Sequence, residues 1–242
     1  CGECIYCKTN RKTHCLNRKV LGIQDKDGCF SEYLLIDTKQ LHKLPENLSP
    51  YKAIYTEPFA AAFEILTQLD IIDKNNKLNK NNPNLNKSVA ILGDGRLAYC
   101  IAQAFNYINK EVTVIGKHDN KLSLFKENIE NIKTKKEWEE DSFEIVIEAT
   151  GSPLGLNQAI EIVRKKGTII LKSTYAEDTI CPMTKVAVDE ITIIGSRCGP
   201  FKLALDGLSQ DKIIFPDINL YKLEEYEKAF NDNSFKNGFL IN

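Results

Sequence analysis

The stretch that decides the fold is AILGDGRLA, residues 90–98. An apolar run precedes two glycines and a helical pattern follows them, which predicts a strand, a tight turn and a helix. Gly93 would permit the turn, and Gly95 would let the backbone approach a pyrophosphate that also meets the N–H groups of the following helix. The turn therefore predicts a dinucleotide site, with five candidate cofactor-binding residues: Gly93, Asp94, Gly95, Arg96 and Leu97.

Short apolar runs alternate with helical patterns on both sides of this turn. Strands separated by helices predict a doubly wound, parallel α/β sheet of the Rossmann type. The predicted strands cover residues 88–92, 112–115, 143–148, 168–171 and 191–194, and the predicted helices cover residues 57–72, 97–108 and 154–164.

The second predicted strand ends without the carboxylate that would read the ribose of NAD. It runs into Gly116, Lys117 and His118, with Lys121 one turn later. A small residue beside cations suits a 2′-phosphate, so we expect NADP(H) to be favoured over NAD(H). Two alternatives stay open: a shift in register could bring Asp119 to the ribose, and Lys117 could be an ordinary surface lysine.

The first fifteen residues contain four cysteines spaced C-x2-C-x2-C-x7-C, at Cys1, Cys4, Cys7 and Cys15. Four thiolates on short loops can surround one tetrahedral Zn²⁺, and a site with four protein ligands is structural. Free thiols are one alternative. An iron–sulfur cluster is another, but its run would continue with a fourth cysteine after three residues and then proline.

Two segments together resemble the zinc-containing medium-chain alcohol dehydrogenases, the family of sorbitol and threonine dehydrogenases. They are CGECIYCKTNRKTHC at residues 1–15 and GIQDKDGCFSEY at residues 22–33. The resemblance implies part of a β-rich GroES-like catalytic domain beside the Rossmann domain. It also implies hydride transfer between a small-molecule alcohol, polyol or ketone and NAD(P), by an enzyme that is a homo-oligomer (dimer or tetramer).

The same resemblance adds further cofactor-binding candidates. The family's E-A-T-G segment corresponds to residues 148–151, whose Ala149, Thr150 and Gly151 would line the cofactor. Arg197 lies in the loop after the last predicted strand of the nucleotide domain. Lys236 occupies a position where relatives place a basic residue against the pyrophosphate, although a surface lysine would look the same.

Family members bind a second, catalytic zinc, and only one of its ligands can be sought in this sequence. Residues 56–60, TEPFA, resemble a family segment whose glutamate lies at that metal, which makes Glu57 the candidate. The alternative is a carboxylate favoured by a helix N-terminus. The family's His-Glu ligand pair has no counterpart here, because none of His14, His42 and His118 is followed by glutamate.

The missing ligands lead us to expect that activity requires residues upstream of Cys1. The rival reading is a non-catalytic, zinc-stabilised nucleotide-binding or regulatory protein. We expect a catalytic-domain part at residues 1–58, the nucleotide domain at 59–198 and a return to the catalytic domain at 199–242. Short strands are also expected at residues 30–36 and 41–44, and a solvated, Asn- and Lys-rich loop at 74–87.

Bulk composition excludes several other classes. The 242 residues carry 32 basic and 33 acidic side chains, so no basic excess indicates a nucleic acid or an anionic membrane as partner. No apolar run of about 18 residues predicts a membrane span. One tight cysteine cluster, with no basic-then-apolar leader in view, favours metal binding in a reducing, cytoplasmic compartment over a disulfide scaffold.

Overall fold

A computed structural model describes residues 1–73, 75–127, 129–134, 138–175, 178–210 and 212–241. Its helices are α1 (Ile5–Lys8), α2 (Pro50–Ala53), α3 (Thr56–Gln68), α4 (Arg96–Tyr107), α5 (Asp119–Leu122), α6 (Gly155–Ile162), α7 (Met183–Val188), α8 (Phe201–Ser209) and α9 (Tyr226–Asn231). Its strands are β1 (Val89–Leu92), β2 (Thr113–Gly116), β3 (Asn131–Thr134), β4 (Phe143–Glu148), β5 (Val163–Leu171), β6 (Thr192–Gly195), β7 (Ile218–Lys222) and β8 (Lys236–Leu240).

The chain forms two compact units. The smaller unit joins Cys1–Leu41 to Pro216–Asn242, and the larger unit is His42–Phe215. The predicted domain boundaries after residues 58 and 198 stay a prediction, because compactness alone does not define a domain. Glu57 and the glycine turn at residues 93–97 both lie in the larger unit.

The larger unit is built on six parallel strands in the order β3-β2-β1-β4-β5-β6. Ile91 in the centre of β1 lies opposite Val114 on one side and Ile147 on the other. This order confirms the predicted Rossmann-type α/β fold. Successive strands are added on one side of β1 up to β3 and on its other side from β4 onward, and the crevice at the carboxyl ends of β1 and β4 is where such sheets bind ligands.

The core of the larger unit follows from strands that are covered on both faces. All four residues of β1 are buried, as expected for a parallel sheet with helices on each side. Helix α4 packs against β1 and α3 packs against α4, and their Phe105 and Phe63 have no exposed surface. Burying one such ring stabilises the fold by about 1.5–3 kcal/mol. The predicted helices 57–72, 97–108 and 154–164 are confirmed as α3, α4 and α6.

The short strands expected near the amino terminus are wrong. Among the described residues, 30–36 and 41–44 form no strand, and the only ladder element nearby is an isolated bridge between Val20 and Gln24. A strand needs a neighbour for its backbone hydrogen bonds, and no described segment pairs with these runs. Strand β3, in contrast, is present but was not predicted, because it is a polar edge strand without a hydrophobic pattern.

The smaller unit combines the cysteine segment with the last strands of the chain. Its β7 and β8 pair in parallel, and α9 lies between them in sequence. The ring of Phe30 contacts Phe230 and Phe239 edge-on, with ring centres 5.9 and 5.0 Å apart. Of the helices in the described part of the chain, none combines the length and apolar character needed to cross a bilayer.

Candidate functional site

The four amino-terminal cysteines converge on one point of the smaller unit. The sulfur atoms of Cys1, Cys4, Cys7 and Cys15 all lie within 4.8 Å of one another. The helix α1 brings them together, because the Lys8 N–H donates to the Cys4 carbonyl at 3.0 Å and turns the chain back. None of the four is in a disulfide. The donor set, its number and its compactness suit a tetrahedral Zn²⁺.

The polypeptide already favours the thiolate form of Cys4. Backbone N–H groups of Leu16 and then Cys7 donate to its sulfur, and they lower the pKa of the Cys4 thiol to about 6 against the opposing effect of burial. A thiolate, not a thiol, is the species that binds a metal. The cysteine cluster therefore presents at least one deprotonated ligand, Cys4, near neutral pH before any metal binds.

The glycine turn lies at the crevice between β1 and β4. The N–H of Gly93 donates to the Ile115 carbonyl at 2.9 Å, which ties the turn to β2. Gly93 has a φ of +129°, and a Cβ at this position would come 2.5 Å from the carbonyl oxygen of Ala149. Only glycine fits this close approach. Gly95 immediately precedes α4, whose first residues are Arg96 and Leu97.

The sequence of β2 ends without a carboxylate, but the structure places one there: the side chain of Asp94, from the turn after β1. The Oδ2 atom of Asp94 accepts hydrogen bonds from the N–H groups of Lys117 and His118, at 2.7 and 2.8 Å. It also lies 2.9 Å from Nδ1 of His118. Burial alone would raise the pKa of Asp94, but these three contacts together hold it below its ordinary value. Sequence reasoning placed Asp94 in the turn and missed this pairing.

The turn and the end of β2 enclose a cavity of about 90 Å³. Its lining includes Trp138, which sequence reasoning also missed; the only available signal was that it is the single tryptophan of the chain. Lys121 is exposed in α5 and does not line this cavity. The lining residues are Leu92, Gly93, Asp94, Ile115, Gly116, Lys117, His118, Trp138, Thr150, Ser152 and Gln158.

The carboxyl end of β4 is held by a buried glutamate. One oxygen of Glu148 accepts from the N–H and the hydroxyl of Thr150, at 2.9 and 2.6 Å, and the other accepts the Tyr175 hydroxyl at 2.8 Å. Burial and the adjacent carboxylate raise the pKa of Tyr175, so this hydroxyl stays protonated. The N–H of Gly151 donates to Ser173. These bonds fix the backbone of Ala149 to Gly151 at the crevice.

Glu57 lies in the first turn of α3 and is exposed. A buried lysine lies near it: Lys172 follows β5 and donates from Nζ to the Ala61 carbonyl at 2.9 Å and to the Ser196 hydroxyl at 3.2 Å. Burial lowers the pKa of Lys172, against the attraction of Glu64, Cys198 and Glu57. No sequence motif indicated Lys172, which follows the carboxyl end of β5.

Lys172 gives the larger unit a testable pH dependence. Because its folded-state pKa lies below the unfolded value, the unfolded chain binds more protons in the window just below about pH 10.5, and stability rises with pH there. We expect Lys172→Met to reduce this rise, with the remainder due to Lys110, whose pKa burial also lowers, and to leave the free energy of unfolding at neutral pH within about 1 kcal/mol. Urea unfolding at neutral and alkaline pH measures it, with the exposed Lys165→Met as control. An unchanged alkaline rise in Lys172→Met would refute the assignment.

The remaining candidates are dispersed. Arg197 is exposed in the segment after β6, and Lys236 is the first residue of β8 in the smaller unit. His14 lies in the cysteine segment, where its Nδ1 is 3.1 Å from the Thr13 hydroxyl. His42 stacks on Phe201 with ring centres 5.1 Å apart. Neither of these two histidines approaches the glycine turn through a described contact.

The sheet order, the glycine turn at the strand crevice and the four-thiol cluster define a class of protein. A parallel sheet of this order with a glycine turn after β1 is typical of dinucleotide-binding domains, and compact four-cysteine clusters bind structural zinc. The chain therefore has the architecture of a dinucleotide-binding protein with a candidate structural zinc site.

Comparison with known proteins identifies the family. The zinc-binding dehydrogenase profile matches residues 95–209, and the profile of the alcohol dehydrogenase GroES-like domain matches residues 1–46. The chain is 25% identical to the sorbitol dehydrogenase of Halalkalibacterium halodurans over 260 aligned positions, covering all of this chain and 71% of that enzyme. The two profiles and this relative together make the chain a relative of the zinc-containing medium-chain dehydrogenases.

Solved structures share the fold at lower identity. The alcohol dehydrogenase RspB of Escherichia coli CFT073, in complex with NADH, superposes with a TM-score of 0.81 at 22% identity, covering 99% of this chain and 73% of that one. A protein of Sinorhizobium meliloti 1021 described as a zinc-binding dehydrogenase, bound to NADP, gives a TM-score of 0.79 at 21% identity, covering 97% and 70%. The fold thus occurs with either nicotinamide cofactor.

Proposed function

We propose that this protein transfers a hydride between a secondary alcohol or polyol (and the corresponding ketone) and a nicotinamide dinucleotide. The observation that carries the proposal is the glycine turn at the crevice between β1 and β4, on a chain that also holds a four-thiol cluster. The sorbitol dehydrogenase relative supports a polyol as the substrate class. The chemistry belongs to the cofactor, and the protein supplies binding, orientation and charge.

Two metal roles belong to this proposal. Cys1, Cys4, Cys7 and Cys15 would hold a structural zinc, since their four sulfurs leave no coordination position for a substrate. Glu57 would be a ligand of a catalytic zinc, because residues 56–60 resemble the family segment whose glutamate lies at that metal, and its carboxylate is exposed at the first turn of α3. A catalytic zinc polarises the substrate oxygen and so favours ionisation of the alcohol.

The dinucleotide would lie across the carboxyl ends of β1, β2 and β4. Residues 93–97 would meet the pyrophosphate, and residues 149–151 would line the nicotinamide side with backbone fixed by Glu148. Arg197 would contribute a cation from the segment after β6. Lys236 stays a candidate on its sequence position alone.

We further propose that NADP(H) is favoured over NAD(H). Lys117 and His118 border the cavity at the end of β2, and Lys121 lies one turn further on. Three groups that can carry positive charge suit a 2′-phosphate, since bonds from a cation to phosphate are stronger than neutral ones.

Removing one of these cations should reduce the preference for NADP(H) over NAD(H). In Lys117→Ala we expect NADPH to bind about tenfold more weakly and NADH to be unchanged within about twofold, because one charge-assisted hydrogen bond is lost. The backbone N–H of residue 117 still donates to Asp94, so the turn should survive. Fluorescence titration with both nucleotides measures the effect, and Lys126→Ala, an exposed lysine outside the cavity, is the control. Preference of the unaltered protein for NADH would defeat this proposal.

Turnover separates the enzyme from the rival, a non-catalytic nucleotide-binding or regulatory protein. For the full-length protein, with polyols and secondary alcohols in excess, we expect reduction of NADP⁺, which is monitored through the near-ultraviolet absorbance of the reduced nicotinamide. The signal should require zinc and disappear in Glu57→Ala. Nucleotide binding without reduction by any alcohol tested would favour the rival. A reducing, cytoplasmic location and a homo-oligomeric state are also part of the proposal.

A further inference from the structure

The contact between Asp94 and His118 has a consequence for cofactor choice. Three donors meet one carboxylate oxygen, namely the N–H groups of Lys117 and His118 and the imidazole of His118. The side chain of Asp94 is 10% exposed, whereas that of His118 is 53% exposed. The carboxylate is therefore mostly buried, whereas the imidazole is half exposed at the cavity.

Sterics at β2 allow this arrangement. A Cβ on Gly116 would come 2.7 Å from the Cβ of Asp94 and equally close to the Leu122 side chain. Glycine at the end of β2 thus makes room for a carboxylate that arrives from the turn after β1. Because Oδ2 receives all three donors, a ribose diol at Asp94 would have to be bound by Oδ1.

The pairing fixes which imidazole nitrogen is protonated. An ionised carboxylate can only accept, so Nδ1 of His118 carries hydrogen in both charge states of the ring. When the ring is neutral, Nε2 presents a lone pair and would repel an anion. When the ring is protonated, Nε2 presents an N–H that can donate to a phosphate oxygen.

We propose that Asp94 is a positioning residue that makes His118 a proton-dependent reader of the 2′-phosphate of NADP(H). The inference rests on the proposed nucleotide function. In this arrangement a proton on Nε2 accompanies NADP(H) binding, and it is held between the ring and a phosphate oxygen. NAD(H) has no such requirement, since its 2′-hydroxyl can donate to the bare Nε2.

The surrounding charges are few. Asp94 faces the imidazole from the turn after β1, and Lys117, Asp119 and Lys121 are in the segment of His118 itself. The other described residues that line the cavity carry no charge. The two lysines keep their charge at every pH in the physiological range, whereas the charge that the imidazole presents to a phosphate depends on whether Nε2 carries a proton.

The test is the dissociation constant of NADPH and of NADH, measured by calorimetry from about pH 6.5 to about pH 9, a range in which the phosphate is mostly a dianion. We expect NADPH to bind about tenfold more weakly at the upper end, the factor for one charge-assisted hydrogen bond. NADH should change by less than about twofold. Lys117→Ala should weaken NADPH without altering the shape of its pH profile.

Two variants distinguish the role of Asp94. Asp94→Asn keeps an oxygen for the two backbone N–H groups but removes the charge, and we expect NADPH binding near neutral pH to weaken about tenfold more than NADH binding does. His118→Asn should abolish the pH dependence and leave Asp94 in place. Tighter NADPH or weaker NADH binding in Asp94→Asn would show that Asp94 reads the ribose, and a flat wild-type profile would also overturn the inference. If neither nucleotide binds the unaltered protein, the proposed function itself fails.

Discussion

Replacing Cys4 with serine is expected to release the zinc from the smaller unit. Structural zinc contributes an apparent free energy of roughly 10–16 kcal/mol in small four-ligand domains, or about 3 kcal/mol per ligand. The smaller unit has few other means of holding residues 1–15, since α1 has four residues and none of them is buried. We therefore expect zinc affinity to fall at least about 100-fold, measured by competition with a chromogenic chelator.

A matched variant separates the metal from the thiol. Cys29→Ser removes an exposed cysteine of the same unit that lies outside the cluster, and it should retain zinc. Equal zinc retention in both variants would refute the four-thiolate site. Iron in place of zinc, visible as a brown protein, would support the iron–sulfur alternative instead.

Replacing Gly93 with alanine should have the largest effect on the nucleotide site. An alanine Cβ would collide with the Ala149 carbonyl at 2.5 Å and would require an unfavourable φ of +129°. Such strain costs about 2–4 kcal/mol, and relieving it would push β1 and the turn away from β4. We expect NADPH affinity to fall about 100-fold and the free energy of unfolding to fall by about 3 kcal/mol.

Gly95→Ala provides the comparison for that variant. A Cβ at position 95 meets no heavy atom within 4 Å, and the φ of −85° suits alanine. The free energy of unfolding should therefore stay within about 0.5 kcal/mol, while nucleotide affinity still falls because the added methyl group stands where the backbone would approach the phosphates. Unchanged affinity in both variants, by calorimetry, would remove this turn from the nucleotide site.

The parallel sheet could be predicted because its signals are local. Strand β4 was predicted with its exact limits, Phe143 to Glu148, since the apolar residues that predominate in it are typical of a buried parallel strand. The runs at residues 30–36 and 41–44 have similar patterns, yet they form no strand in the described chain because strand formation depends on a partner. The edge strand β3 was missed for the converse reason: its polar residues gain order from pairing with β2.

The candidate site likewise has one part that follows from local sequence and another that depends on how the strands pack. The four cysteines lie within fifteen residues, so their convergence follows from spacing alone. Asp94 and His118 are 24 residues apart, and they meet because β1 and β2 pair in parallel and end at the same edge. Lys172 belongs to no motif and becomes significant only through burial. Contacts of this kind depend on register and packing, which the sequence pattern did not specify.

The most direct test of the central claim is native mass spectrometry of the purified protein with NADPH, which counts bound metal and nucleotide on each chain. The account predicts at least one zinc and one NADPH per chain, with the zinc count reduced by one in Cys4→Ser and the nucleotide lost in Gly93→Ala. A chain that carries no zinc, or that binds zinc but neither NADPH nor NADH, would contradict it.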